Sequence, residues 1–290
     1  MREKLDVNGV ELCAETLGDP RDPAILLIAG AHCSMDWWDE ELCARLCAGG
    51  RSVIRYDHRD TGQSTASPAG APGYGFDDLV GDATGLLDRL AVARAHLAGI
   101  SMGGAIAQRV ALEQPARVAS VTLIATSPGM RPGARPDQDL PPMAPALLAH
   151  HTRPQPAPDW SDREASIAAI VAAQRRLAGE GAFDEPRVRE LAARVVDRSI
   201  DVAAAQTNHG IVEPGRPYRD RLPEIGAPAL VIHGTADPLF PPGHGEAAAR
   251  EIPGSELVLL DRVGHQPPPV RTWDTVVPAL LRHTAAGPDL

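Results

Sequence analysis

The sequence predicts an α/β fold: a mostly parallel, eight-stranded sheet with helices on both faces and a helical segment inserted after the sixth strand. Three observations carry this. Short apolar runs alternate with stretches of helical spacing, joined by brief connections, which is the pattern of strand–helix–strand units. The alternation stops after Ser127 and resumes at Ala229. The composition, 43% hydrophobic and 23% charged over 290 residues, supplies an ordinary globular core and argues against global disorder.

The elements follow in chain order. Asn8-Gly9 lies between Lys4–Val7 and Val10–Thr16, and that dipeptide between strand-like runs reads as a tight hairpin. Ala24–Ala29 is a short, continuous apolar run bounded by Pro23 and Gly30, the signature of a strand buried on both faces. Asp39–Ala48 has helical spacing in Leu42, Leu46, Cys43 and Cys47, and Ser52–Tyr56 is the next strand. Asp77–Leu90 places Leu79, Ala83, Leu86, Leu87 and Leu90 on one helical side. Ala95–Gly99 is a strand, Met102–Glu113 a helix that stops before Pro115, and Val118–Ala125 a further buried strand. Nine prolines then fall between Pro128 and Pro158, too many for regular elements. Ser161-Asp162-Arg163-Glu164 reads as a capping box opening a helix that runs to Gly179. A second helix is expected from Asp184, with Pro186 in its first turn, and a third near Ser199. The sheet pattern returns with strand Ala229–His233, helix Gly245–Arg250, strand Glu256–Leu260 and helix Thr272–Arg282. The expected organisation is a core of residues 1–127 and 219–290 carrying a helical cap at 128–218.

Composition narrows the function. With 28 Lys and Arg against 38 Asp and Glu, the chain has no cationic surplus to displace phosphate counterions, so a nucleic-acid partner is not expected. No window approaches eighteen consecutive apolar residues, and the charged start has no apolar run behind it, so neither a membrane span nor a signal peptide is expected. The four cysteines, Cys13, Cys33, Cys43 and Cys47, form no pair of CxxC motifs, which disfavours a structural zinc site. Reduced thiols and a cytoplasmic location are the expectation.

Gly99-Ile100-Ser101-Met102-Gly103 falls between an expected strand and an expected helix. A nucleophile in that context sits on a sharp turn that pushes its hydroxyl out above the sheet. Small residues two before and two after it let the strand and helix backbones come close. A serine needs a base and the base an orienter, and with such an elbow the acid and then the histidine follow the nucleophile along the chain. Asp237 comes directly after strand Ala229–His233, and His265 directly after strand Glu256–Leu260. Both lie at carboxyl ends of late strands, where open α/β sheets place their sites. Ser101, Asp237 and His265 are therefore the candidate catalytic triad. Asp261 lies too close to its strand end to orient His265. Thr126-Ser127 offers no acid after Val118–Ala125, and His96 and His233 within strands read as core histidines. The backbone N–H groups of Met102 and of Ala31, in the turn after the first buried strand, are the candidate oxyanion donors. His32 is a candidate substrate contact, and Met35, Trp37 and Trp38 are candidate pocket walls.

These residues resemble the α/β-hydrolase superfamily over the whole chain except the insertion. The segment Ile54-Arg55-Tyr56-Asp57-His58-Arg59-Asp60-Thr61-Gly62-Gln63-Ser64-Thr65 resembles the aclacinomycin methylesterase family of polyketide-tailoring esterases. Asp60 stands where most of the superfamily carries Gly, as in that family, and Tyr74-Gly75-Phe76 and the Gly-Ile-Ser-Met-Gly elbow fit as well. Ala31 stands where the closer family tends to carry a second Gly. The resemblance implies the α/β-hydrolase fold and hydrolysis of a methyl ester of an aromatic polyketide or similar bulky small molecule through an acyl-enzyme. It implies Ser101, Asp237 and His265 as nucleophile, acid and base, with Ala31 and Met102 as oxyanion donors. No metal or organic cofactor is required, the partner is a small-molecule ester, and either a monomer or a homodimer is compatible with the sequence. The same triad also serves cofactor-free perhydrolases (haloperoxidases) and carbon–carbon bond hydrolases. A non-catalytic ligand-binding protein on this fold would be expected to have a damaged triad.

Overall fold

The computed structural model describes residues 1–129, 139–153, 156–179 and 183–285. Strands β1 (Arg2–Val7) and β2 (Val10–Leu17) form the expected hairpin. Asn8 (φ 49°) and Gly9 (φ 80°) make its turn in the left-handed region that this dipeptide enters readily. β3 (Ala24–Ile28), α1 (Glu40–Ala48), β4 (Ser52–Tyr56), α2 (Phe76–Arg89), β5 (Ala95–Ile100), α3 (Met102–Glu113) and β6 (Val118–Ile124) follow. Among the described residues after β6 come α4 (Pro145–His151), α5 (Arg163–Leu177), α6 (Glu185–Arg198) and α7 (Val202–Thr207). The chain then rejoins the sheet with β7 (Ala229–Gly234), α8 (Gly243–Glu251), β8 (Glu256–Leu260) and α9 (Trp273–His283).

The eight strands form one sheet in the order β1-β2-β4-β3-β5-β6-β7-β8, parallel from β4 onward and antiparallel at β1–β2 and β2–β4. β3 lies between β4 and β5, so the winding reverses direction there. Such a reversal opens a crevice at the carboxyl ends of β3 and β5, the natural place for a ligand in an open parallel sheet. Alternation along β3 explains its continuous apolar sequence. Leu26 and Ile28 pack on the face covered by α2, α3 and α8, while Ile25 and Leu27 pack on the face covered by α1 and α9. Each such side chain contributes about 1.5–3 kcal/mol when fully buried. A third, smaller cluster joins Ile167, Ile170 and Val171 of α5 to Ala192 and Val195 of α6 and to Trp37 of the core.

Two expectations within the insertion need correction. The proline-rich stretch was expected to lack regular structure, yet α4 forms there. Pro145 occupies its first position, where a missing N–H costs nothing, and no proline interrupts the next six residues. Residues 130–138 and 154–155 of that stretch lie outside the described residues. The cap of α5 is Asp162 rather than Ser161. The Asp162 carboxylate accepts from the N–H groups of Glu164 and Ala165, while the Ser161 hydroxyl is held by Asp159 at 2.6 Å. α6 begins after Asp184 with Pro186 in its first turn, and α7 starts at Val202, capped by Asp201.

Candidate active site

Ser101 sits between β5 and α3 with φ 52° and ψ −117°, a conformation that costs an L-residue on the order of 1–3 kcal/mol. The surrounding glycines make it attainable. A Cβ at Gly99 would run into the Gly103 carbonyl, and one at Gly103 into the Ile28 carbonyl of β3. A Cβ at Gly104 would lie 2.7 Å from the Thr126 side chain. The turn is pinned by Ser101 N–H donating to the Ile124 carbonyl at 2.9 Å and by Thr126 Oγ1 donating to the Ser101 carbonyl at 2.8 Å. The sharp turn thereby projects the Ser101 hydroxyl at the crevice.

The three residues singled out by chain order meet there. His265 Nε2 is 2.9 Å from Ser101 Oγ, and His265 Nδ1 is 2.8 Å from Asp237 Oδ2. The Asp237 carboxylate is buried, and its Oδ1 accepts from the N–H groups of Leu239 (2.9 Å) and Phe240 (2.8 Å). A carboxylate is an acceptor, so Nδ1 of His265 carries the proton and Nε2 presents a lone pair to the Ser101 hydroxyl. The Phe240 ring meets the His265 ring edge-on at 5.3 Å, and His265 N–H donates to the Leu177 carbonyl of α5 at 2.7 Å. The insertion therefore helps fix the histidine in place.

Ala31 and His32 follow β3, and the loop lies against the elbow: a Cβ at Gly30 would come within 3.5 Å of Ser101 Cβ. Among the described residues, neither Ala31 N–H nor Met102 N–H donates to a protein acceptor. Ala31, His32, Ser101 and His265 all line a cavity of about 250 Å³, together with Trp37 and Trp38. A second cavity of about 530 Å³ adjoins it, sharing Trp37, Gln174, Gln266 and Pro267. Met35, expected among the walls, is instead fully buried beneath the loop, with its N–H donating to Asp57 at 2.9 Å.

The other histidines and acids separate cleanly. His96 bonds Ser120 Oγ within the sheet at 2.8 Å, and burial pushes its imidazole down to about 4. His233 Nε2 donates to the Phe240 carbonyl at 2.7 Å, and burial lowers this imidazole as well. Asp261 is exposed and pairs with Arg262. Cys33 lines the cavity, but burial pushes its thiol up to about 12, so it stays protonated. Among the described residues, no group of three or more His, Cys, Asp and Glu side chains is placed to hold a metal ion, and no helix is long and apolar enough to cross a membrane.

Several site residues escaped the sequence reading. His151 of α4 and Gln174 and Leu177 of α5 line the cavity from the insertion, and Leu239, Gln266 and Pro267 line it from the core. The segment after β4 supplies a buried framework beside them. Asp57 binds the Arg198 guanidinium through both oxygens at 2.7 Å, and a Cβ on Gly62 would collide with that carboxylate. Asp60 accepts from the Tyr74 hydroxyl, from Asn208 Nδ2 at 2.8 Å and from Ser67 N–H. The spacing of Asp60 and Tyr74 was visible in the sequence, but their bond to each other and to Asn208 is a matter of folding.

The model of the family described as Serine aminopeptidase, S33 matches residues 19–267. Rhodomycin D methylesterase DnrP of Streptomyces peucetius is 35% identical to this chain, with 96% of each covered. Rhodomycin D methylesterase DauP of Streptomyces sp. (strain C5) is 34% identical over the same share of both chains. Among solved structures, the enol-lactonase from Burkholderia xenovorans LB400 superposes with a TM-score of 0.75 at 25% identity, covering 98% of this chain and all of that one. With the elbow, the sheet order and these likenesses in agreement, the chain belongs to the serine aminopeptidase S33 family of α/β-hydrolases.

Proposed function

We propose that this chain, a carboxylic ester hydrolase, cleaves the methyl ester of an aromatic polyketide or a similarly bulky small molecule through an acyl-enzyme on Ser101. The observation that carries the reading is the hydrogen-bonded series Ser101 Oγ–His265–Asp237 mounted on a strained elbow. His265 Nε2 takes the Ser101 proton as Oγ attacks the ester carbonyl, and Asp237 holds the ring and stabilises the imidazolium. The N–H groups of Ala31 and Met102 receive the developing oxyanion. As the tetrahedral intermediate collapses, the protonated His265 gives its proton to the departing methoxide, which leaves as methanol. A water molecule, deprotonated by His265, then attacks the acyl carbonyl, releasing the carboxylic acid and restoring Ser101.

The substrate class rests on the methylesterases that this chain resembles and on the shape of the site. A methyl leaving group is small, so the two adjoining cavities have room for a large acid. Residues 128–218 serve as a cap over the core formed by 1–127 and 219–290. In support, Leu177 touches His265, and His151 and Gln174 line the cavity. A panel of methyl esters from simple benzoates to polycyclic aromatic acids, followed by methanol release, tests the reading. Turnover is expected to rise with the size of the acid and to vanish in Ser101→Ala. Preferred peracid formation, cleavage of a vinylogous diketone, or turnover indifferent to acid size would overturn it.

A further inference from the structure

The loop that carries Ala31 does not hold its shape alone. His32 has φ 65°, a left-handed conformation that a non-glycine residue keeps only where its surroundings enforce it. Three bonds from one stretch of the insertion do so. His32 N–H donates to His209 Nδ1 at 2.9 Å, Gln206 Nε2 donates to the His32 carbonyl at 3.2 Å, and His32 Nδ1 meets the Ala205 carbonyl at 3.0 Å. A backbone N–H can only donate, so His209 Nδ1 is the unprotonated nitrogen and Nε2–H donates to the Arg59 carbonyl at 2.9 Å. Arg59 is itself clamped by Asp82 through bonds of 2.7 and 2.8 Å. Burial beside His58 and His32 keeps the His209 ring neutral, which preserves its acceptor lone pair. On the other side of the loop, His58 Nε2 reaches the Ala29 carbonyl at 3.0 Å.

We propose that His209 is a positioning residue for the oxyanion hole: by fixing the peptide N–H of His32 it sets the orientation of the neighbouring Ala31 N–H, so that this donor is aimed only while the 205–209 segment is docked. The inference rests on the reading of Ala31 as an oxyanion donor. It assigns the insertion a part in transition-state stabilisation beyond enclosing the substrate. All of His32's polar backbone groups being engaged, its role is to hold the loop, and only the edge of its ring remains for substrate.

The test compares His209→Phe, which keeps a ring of similar size without an acceptor, with His209→Gln, which restores an acceptor. Loss of one oxyanion donor typically costs about 100- to 1000-fold, so a misaimed one is expected to lower kcat by about 10- to 100-fold in His209→Phe, with KM within twofold of wild type. The rate at which a fluorophosphonate modifies Ser101 should fall by a similar factor, because the phosphonyl oxygen occupies the same donors. His209→Gln should recover most of both rates. A His209→Phe enzyme with kcat within twofold of wild type, equal impairment of the two variants, or a loss confined to KM would overturn the proposal. Should His209→Phe fail to fold, Gln206→Met is read in the same way: a several-fold fall in kcat at constant KM is expected, and an unchanged kcat refutes the idea. Failure of the serine ester-hydrolase reading on which this rests looks different, since wild type itself would then not be modified at Ser101.

Discussion

Replacing Asp60 by glycine, the residue most of the superfamily carries there, sets two physical effects against each other. Asp60 has φ 71°, so glycine would relieve a left-handed backbone, worth on the order of 1 kcal/mol. Against that, the carboxylate is buried and receives the Tyr74 hydroxyl, Asn208 Nδ2 and Ser67 N–H. Asn208 Nδ2 keeps a second acceptor, the Pro68 carbonyl at 3.2 Å, but the Tyr74 hydroxyl is left buried without one. A stranded buried donor costs about 1–3 kcal/mol, and each lost bond to a charged acceptor about 1.5–3 kcal/mol. The losses outweigh the relief, and the net destabilisation of Asp60→Gly is about 2–4 kcal/mol. Urea unfolding followed by tryptophan fluorescence should show a lower midpoint at unchanged slope. Asp60→Asn, which tolerates the left-handed region and keeps one oxygen, should lie between the two. Since Asn208 adjoins His209, ester turnover should also fall in Asp60→Gly at temperatures where the protein is still folded. A glycine variant as stable as wild type, or more so, would refute this account of the Asp60 network.

Two further outcomes follow from the same structure. Asp237→Asn removes the acceptor that fixes the His265 tautomer, so kcat should fall by about 10⁴-fold with the melting temperature little changed; near-normal turnover would exclude Asp237 as the orienting acid. Stability should decline in mild acid, because burial lowers His32, His58, His96, His209, His233 and His283 in the folded state. An imidazole lowered on folding is neutral in the native protein and takes up a proton on unfolding, so its contribution is complete above about 6.5 and is lost as the pH falls toward the folded value. For His96, lowered to about 4, this amounts to about 3 kcal/mol over that window. The urea midpoint should therefore drop steadily from pH 7 to pH 4.5, and a flat profile would contradict the buried, neutral state of these rings.

Much of the fold was legible because its signals are local. The β-rich runs, the Asn8-Gly9 turn and the glycines around Ser101 each state their conformation within a few residues, and the structure places strands and helices within a residue or two of those signals. The meeting of Ser101, Asp237 and His265 was legible for a different reason: strand ends in a parallel sheet share one edge, so chain order implies proximity. The insertion was harder. α4 hides behind the proline count, although Pro145 is at the one helical position that welcomes proline. The bond between His32 and His209 spans 177 residues, and nothing near either histidine in the chain announces it. Asp60 and Tyr74 were conspicuous as a pattern, but only the folded chain shows that they bind each other and Asn208, the neighbour of His209.

The central claim is that Ser101 is the nucleophile of an ester hydrolase. Peptide mapping after reaction with a fluorophosphonate tests it most directly. The account predicts a single stoichiometric adduct on Ser101, loss of methyl-ester turnover in step with labelling, and neither adduct nor turnover in Ser101→Ala. An adduct on another residue, or methyl-ester turnover that survives in Ser101→Ala, would contradict it.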